Sequence, residues 1–306
     1  MKWFVGAAIA VCAAGCYDTS GNTSRACSAL TVTEPQMLTH GTLFTVVMEN
    51  KSRGDILGNP EAPYINQLAR QGAQLDGYHD PYVHPSEPNY LWMVAGENFG
   101  VLDDSDPVDH PIDATSHIAD QIDLAGLSWK TYQQSMGAPC GVSSHGAYAA
   151  KHNPFVYFMD IREDAERCAS HVVDYTQLDA DLASGQVPNY VFITPDLNHD
   201  MHDGTIAAGD AWLAAELPKI FASPAYQNGG ALFLLWDEGS GTLGPDDDPP
   251  FIAVSPMVKS GMVSSVAYDT SSYLKTEQRL LGLDELPCSA DPAKVPVMGD
   301  MFTVPM

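Results

Sequence analysis

Positive charge is what this sequence has least of. Lysine and arginine together number 14 against 39 aspartates and glutamates, a formal net charge of −25 over 306 residues. A surface this acidic repels phosphate backbones, which argues against nucleic acid as a partner and against adhesion to anionic lipid through basic patches. Long apolar runs are missing as well: past the first two dozen residues, no stretch has the length of a transmembrane helix. CxxC pairs and Cys/His zinc spacings do not occur, so a cysteine-based metal site is not expected. No internal repeat or low-complexity tract is visible. If the substrate is an anion, something local must reverse the field, and a bound cation is the obvious means.

What is present begins with "MKWFVGAAIAVCAAGC": one lysine, a short apolar run and small residues, which reads as a secretory signal over residues 1–16. Its Ala14-Gly15-Cys16 ending resembles a bacterial lipoprotein signal, in which Cys16 becomes the lipidated first residue. Ala13, where such signals usually carry leucine, leaves soluble export open. The expectation is therefore an exported chain, either a surface or outer-membrane lipoprotein attached through Cys16 or a secreted protein. Residues 17–38 start as a polar, small-residue tether, and 39–306 have the length of one large domain. With Cys12 and Cys16 set aside, Cys27, Cys140, Cys168 and Cys288 remain. In an exported chain, four cysteines suggest two disulfides with three possible pairings. The expected pairs are Cys140 with Cys168, closing a local loop, and Cys27 with Cys288, tying the ends.

Near-continuous apolar runs at 42–49, 189–196, 230–239 and 250–256 read as buried strands, and a further strand begins near Ser128. Helical spacing appears at 62–72, at 116–127 behind a Ser or Thr cap, at 207–223 with a kink or break at Pro218, and at 271–283. Apolar strands interleaved with amphipathic helices predict an α/β, three-layer sandwich with a mostly parallel central sheet. Three strands end abruptly in polar groups: Glu49-Asn50, Asp196, and Asp237-Glu238. In open sheets of this kind the carboxyl ends of the strands form the ligand crevice, so these acids are expected to converge.

Each polar cluster has a functional reading and an ordinary one. Glu49-Asn50 offers two adjacent oxygen donors for a hard cation, or merely a turn. "ITPDLNHDMHDG" packs Asp196, Asn198, His199, Asp200, His202 and Asp203 behind a strand, the usual material of metal and acid/base sites. Asp237-Glu238 follows a hydrophobic run directly, where ionised carboxylates are costly unless paired or metal-bound. Asp246-Asp247-Asp248 reads as a solvated loop. In "HPSEPNY", Ser86 can cap a helix starting near Glu87 or Pro88, and that position also suits a nucleophile, because a helix N-terminus lowers a hydroxyl's pKa. His84 is a site residue or a neighbour. Lys151 and His152 can meet an anion.

Together the motifs "MENKS", "DILG", "PSEPNY", "HNPF", "TPDLNHDMHD", "WDEG" and "FIAVSPMVK", in that order from about Thr42 to about Leu283, resemble the bacterial phosphoesterase family of exported acid phosphatases and non-specific phospholipases C. That family sits within the alkaline-phosphatase-like superfamily. The resemblance implies a metal-dependent phosphomonoesterase with a phosphoserine intermediate, acting on a small phosphate ester or a phospholipid head group. It implies Ser86 as nucleophile, with Glu49, Asn50, Asp237, Glu238 and Asp200 around a divalent cation of unspecified identity. His152 then lies at the phosphate and His202 at the leaving group, with His84, Asn89 and Lys151 lining the substrate site. "ENKSRGD" replaces the "ENRSFDH" that the phospholipase branch favours, which points to a phosphatase. Phosphodiester cleavage is the alternative, followed by a non-catalytic surface lipoprotein on the same fold.

Overall fold

The computed structural model describes residues 38, 41–241, 247–289 and 294–306. The signal-like segment 1–16, the tether up to residue 37, Asp246 and Cys27 lie outside the described residues, and so does the pairing expected of Cys27 with Cys288. Leu38 is buried, and its N–H donates to Leu280 O (2.9 Å).

The strands are β1 (Leu43–Met48), β2 (Ala73–His79), β3 (Trp129–Gln133), β4 (Val172–Asp174), β5 (Tyr190–Thr194), β6 (Ala231–Trp236), β7 (Phe251–Val254) and β8 (Met262–Asp269). They form one sheet in the order β4-β3-β5-β1-β6-β7-β2-β8. All neighbours are parallel except β7, which runs antiparallel to both β6 and β2. The chain between β6 and β7, "DEGSGTLGPDDDPP", carries acids, glycines and prolines instead of an amphipathic crossover. A strand reached without a crossover comes back antiparallel.

β1, β5 and β6 are buried along their whole length, which is why they read as unbroken apolar runs. The period of two sorts their side chains between two cores. Leu43 and Val47 meet the layer holding helices Ser86–Ala95 and Thr270–Leu281, whereas Phe44, Val46 and Met48 meet the layer of Pro63–Gln71 and Ile206–Ala222. Each large apolar side chain buried this way contributes about 1.5–3 kcal/mol. That reserve is what lets strand ends carry acids.

Some sequence expectations need correction. The helix Ile118–Leu124 is capped by His117, whose Nδ1 accepts the Asp120 N–H (3.3 Å), not by a serine or threonine. Ile206–Ala222 continues through Pro218, keeping Leu213, Leu217 and Ile220 on its buried face. Burial of that face outweighs the backbone bond that the proline removes. Strands β2, β4 and β8 escaped the reading because they are edge or near-edge strands with mixed patterns, half-buried or short. The Cys140–Cys168 disulfide forms as expected, with Cα atoms 5.7 Å apart. Closing a loop of 28 residues is worth about 3–4 kcal/mol in the chain-entropy account.

One polar network lies inside the core. Thr45 shares the face of Leu43 and Val47, and its hydroxyl donates to Glu277 Oε1 at 2.6 Å, while Tyr190 Oη donates to Oε2 at 3.2 Å. Burial pushes the Glu277 carboxyl up to about 8. Its folded-state pKa is therefore above the unfolded one, so the protonated form contributes stability that is whole below about pH 4.5 and is lost as pH rises toward 8. Glu277→Gln is expected to match the wild type near pH 4.5. Above that it should gain relative stability by at most about 1.4 kcal/mol per pH unit until pH 8. Thermal melts across this range check it, and a Tm difference independent of pH would contradict it.

Candidate active site

The acids converge because of strand register and parity. Met48 of β1 is opposite Trp236 of β6, so Glu49 and Asp237 leave the sheet side by side. Both continue the parity of the face covered by helix Ser86–Ala95. Glu49 and Asp237 are fully buried and Glu238 nearly so. Asn50 turns the chain with φ +51°, a left-handed conformation that asparagine tolerates. Its backbone N–H then donates to Asp237 Oδ1 (3.2 Å), so the contact made by Asn50 is through its main chain.

Ser86 is the first helical residue, with Pro85 at the cap position, and its side chain makes no capping bond. The hydroxyl donates instead to Glu49 Oε2 at 3.1 Å. The hydroxyl thus points into the acid cluster and not to its own helix terminus. Asn89, one turn later, donates to Glu238 Oε2 (2.9 Å) and to Val83 O (2.7 Å). His84 belongs to the site: its Nδ1 lies 3.5 Å from Glu238 Oε2, and its Nε2 lies 3.8 Å from Asp80 Oδ2. The Asp80 carboxylate beside it raises its pKa despite partial burial.

On the other side stands His152, buried and stacked on Tyr90 with ring centroids 5.1 Å apart. Its Nε2 is 3.1 Å from Glu49 Oε1 and its Nδ1 is 3.3 Å from Asp200 Oδ2. Burial holds this imidazole well below its usual pKa. The positive charge comes from Lys151. Burial lowers its pKa, but the ion pair with Asp104 (2.5 Å) more than offsets this, leaving it raised. Lys151 Nζ also lies 3.5 Å from His202 Nε2, whose Nδ1 faces Asp203 Oδ1 at 2.8 Å.

Asp196 and His199 do not join the site. Asp196 accepts Ser135 Oγ (2.7 Å) and the Asn198 N–H (3.1 Å), and His199 lies 2.9 Å from it, so this pair shapes the loop. Asp200 comes in instead, tied by the Glu49 N–H to its carbonyl (2.8 Å). Asp247 and Asp248 are likewise no solvated loop. Asp247 is buried, and its carboxylate accepts the Ser240 N–H (2.7 Å), the Gly241 N–H (3.1 Å) and the Ser52 hydroxyl. Asp248 lies 2.8 Å from His79. A Cβ on Gly239 would sit 1.7 Å from Asp247 O, so only glycine fits after Asp237-Glu238. Sequence reading missed Asp80, Asp104, Tyr90 and Asp247, whose only signal was proximity to other polar residues.

Burial raises every acid of the cluster. Glu49 stands well above its ordinary value, first through desolvation and then through Asp237, Asp200 and Glu238. Desolvation pushes Asp200 and Asp237 up to about 7, and Glu238 up to about 10 with help from Asp237 and Asp80. Asp237 Oδ2 and Asn89 Oδ1 are buried and find no hydrogen-bond partner among the described residues, and Glu49 Oε1, Asp200 Oδ2 and His152 Nε2 have only the close approaches to and from the His152 ring, none of them a well-directed hydrogen bond. Glu49, His152 and His202 each present a ligand atom within 4.8 Å of the others. Carboxylate and amide oxygens with one or two imidazoles fit a divalent cation, and a cation would supply the partner these atoms lack. Asp237 is raised in the folded chain, so its contribution is whole below about pH 4 and lost as pH climbs through about 7. In chelator-treated protein, Asp237→Asn is expected to melt a few degrees above the wild type at pH 8 and level with it at pH 4. A lower Tm for the variant at pH 8 would show the carboxylate to be a net stabiliser without metal.

The fold is that of a protein of the alkaline phosphatase superfamily from Vibrio parahaemolyticus, with a TM-score of 0.59 at 12% identity over 88% of this chain and 74% of that one. In sequence, the chain is similar to a phosphatidylinositol-3-phosphatase of Mycobacterium tuberculosis, 35% identical over 198 residues, 64% of this chain and 63% of that one. It is also similar to a phosphate-repressible acid phosphatase of Penicillium chrysogenum, 31% identical over 181 residues, 57% of this chain and 43% of that one. The matches thus span less than two thirds of the length of these relatives. A model of the Phosphoesterase family matches residues 47–284, from the end of β1 past the helix Thr270–Leu281, and this chain belongs to that family.

Proposed function

We propose that the domain, residues 39–306, hydrolyses phosphate monoesters through a covalent phosphoserine on Ser86. The observation that carries this reading is the buried Ser86 hydroxyl, at the first turn of a helix and 3.1 Å from Glu49 Oε2 inside a cluster of buried carboxylates, three of which keep one oxygen without a hydrogen bond. Membership of the Phosphoesterase family and the two phosphatases among its relatives support it.

Glu49, Asp237, Glu238 and Asp200, with Asn50 beside them and His152 or His202 as nitrogen donors, would hold a divalent cation. Such an ion supplies Lewis acidity that lowers the serine's pKa and offsets charge on phosphoryl oxygens. Everything else belongs to this chain. Glu49 Oε2 takes the Ser86 proton as Oγ attacks phosphorus in line with the leaving oxygen. The positive end of the helix favours the developing negative charge. Lys151 and His84 face the substrate's charge, and Asn89 fixes Glu238. His202 gives a proton to the leaving alkoxide and takes one back from the water that cleaves the phosphoserine. An imidazole that must be protonated in the first step is consistent with an acidic optimum. Export through the 1–16 signal, with attachment through Cys16 or release, completes the proposal.

Ser86→Ala is expected to lower kcat on an aryl phosphate by at least about a thousandfold while substrate still binds. Unchanged turnover would remove the serine from the chemistry. Release of phosphocholine from a phospholipid by the wild type, with little action on monoesters, would select the diesterase reading instead.

A further inference from the structure

The first turn of the Ser86 helix contributes to a second group of ligand atoms. Glu87 has no exposure to solvent, and neither of its carboxylate oxygens has a hydrogen-bond partner among the described residues. Tyr157 lies beside it, but that hydroxyl donates to Ser105 O (2.8 Å). Lys151, a positive charge that acts on Glu87, is engaged with Asp104 (2.5 Å). Meanwhile Asp103 and His110 approach from the segment that follows the helix. An oxygen of Glu87, an oxygen of Asp103 and a ring nitrogen of His110 all lie within 4.8 Å of one another. Asp103 Oδ1 and His110 Nε2 are 2.7 Å apart, so these two satisfy each other and leave Glu87 with nothing.

We propose that Glu87, Asp103 and His110 form a second divalent-cation site, separate from the one beside Ser86. A buried carboxylate with two unpartnered oxygens is costly, and a cation between it and the Asp103–His110 pair removes that cost. Two carboxylates with one imidazole suit manganese or zinc better than magnesium or calcium, which prefer all-oxygen shells. The Asp103 side chain is 62% exposed and that of His110 25%, so an ion reaches the site from solvent and water completes its shell. Its consequence is positional. Asp104, next to Asp103, accepts the Glu87 N–H (3.0 Å) on Oδ1 and Lys151 on Oδ2 (2.5 Å), and Lys151 stands 3.5 Å from His202. An ion at Glu87 thus clamps the segment 103–110 to the nucleophile's helix and steadies the residues that hold Lys151.

The test is stoichiometry of Mn²⁺ and Zn²⁺ on the whole purified chain, by elemental analysis after desalting and by titration calorimetry. Wild type is expected to bind two equivalents, and the double variant Asp103→Asn with His110→Ala one. Glu87→Gln, which keeps the side chain's volume, should weaken the same equivalent by at least tenfold. Because Asp103 and His110 are partly exposed, the double variant should keep the wild-type Tm in chelator. Metal-dependent protection of the 103–110 amides from hydrogen exchange should disappear in it. Asp237→Asn should lose the other equivalent. If instead Asp237→Asn binds as wild type while the double variant loses one, the second site stands and the metal assignment at Ser86 falls. Equal stoichiometry and affinity in the wild type, the double variant and Glu87→Gln would overturn the second site.

Discussion

The crowding of buried carboxyl groups at the ends of β1 and β6 is the constraint on which the rest of this structure depends. Register sets Glu49 and Asp237 side by side, parity turns both to one face, and the flanking apolar strands deny them water. Left ionised, such groups repel each other in a medium that screens poorly. Their raised pKa values are the measure of that conflict. A folded protein tolerates a conflict of this size only where the surrounding core over-determines the geometry. Here that core is three strands buried on both faces.

Around the acids, the loops act as a brace. Lys51 Nζ donates to Met201 O (2.9 Å) and to Asn50 O (3.0 Å), binding the ends of β1 and the β5 loop together. Met201 takes φ +83°, a strained conformation for a non-glycine residue, and the turn it makes brings Asp200 toward His152. On the far side, Asp247 collects the Ser52 hydroxyl and two backbone N–H groups, fastening the segment after Glu238. These contacts leave the acids little room to move apart. The same rigidity holds Ser86 Oγ toward Glu49 instead of its own helix terminus.

Electrostatically the site is an island. Against a strongly acidic chain, Lys151 and His84 are groups whose charge is reinforced beside the cluster, chiefly by a neighbouring aspartate, Asp104 and Asp80, with smaller help from Asp237. Neither aspartate was legible as a functional residue, because a lone acid in a loop looks like any other in a sequence with so many. His199 illustrates the converse. It sits in the same motif as His202, yet it pairs with Asp196 and packs near Trp212, and no spacing rule separates the two.

By itself the sequence determined the layered sheet and the strand ends that carry acids, and it made the local Cys140–Cys168 pairing the expected one of three. Hydrophobic runs, their period and abrupt switches from apolar to charged residues are all encoded within a few neighbouring positions. It did not determine the antiparallel return of β7, the exclusion of Asp196, the burial of Asp247 and of His152 or the meeting of Glu87 with Asp103 and His110. Each of those depends on which distant segment packs against a residue and on how much water that packing removes. Burial and nearby charge are properties of the assembled chain, and only the tertiary structure decides them.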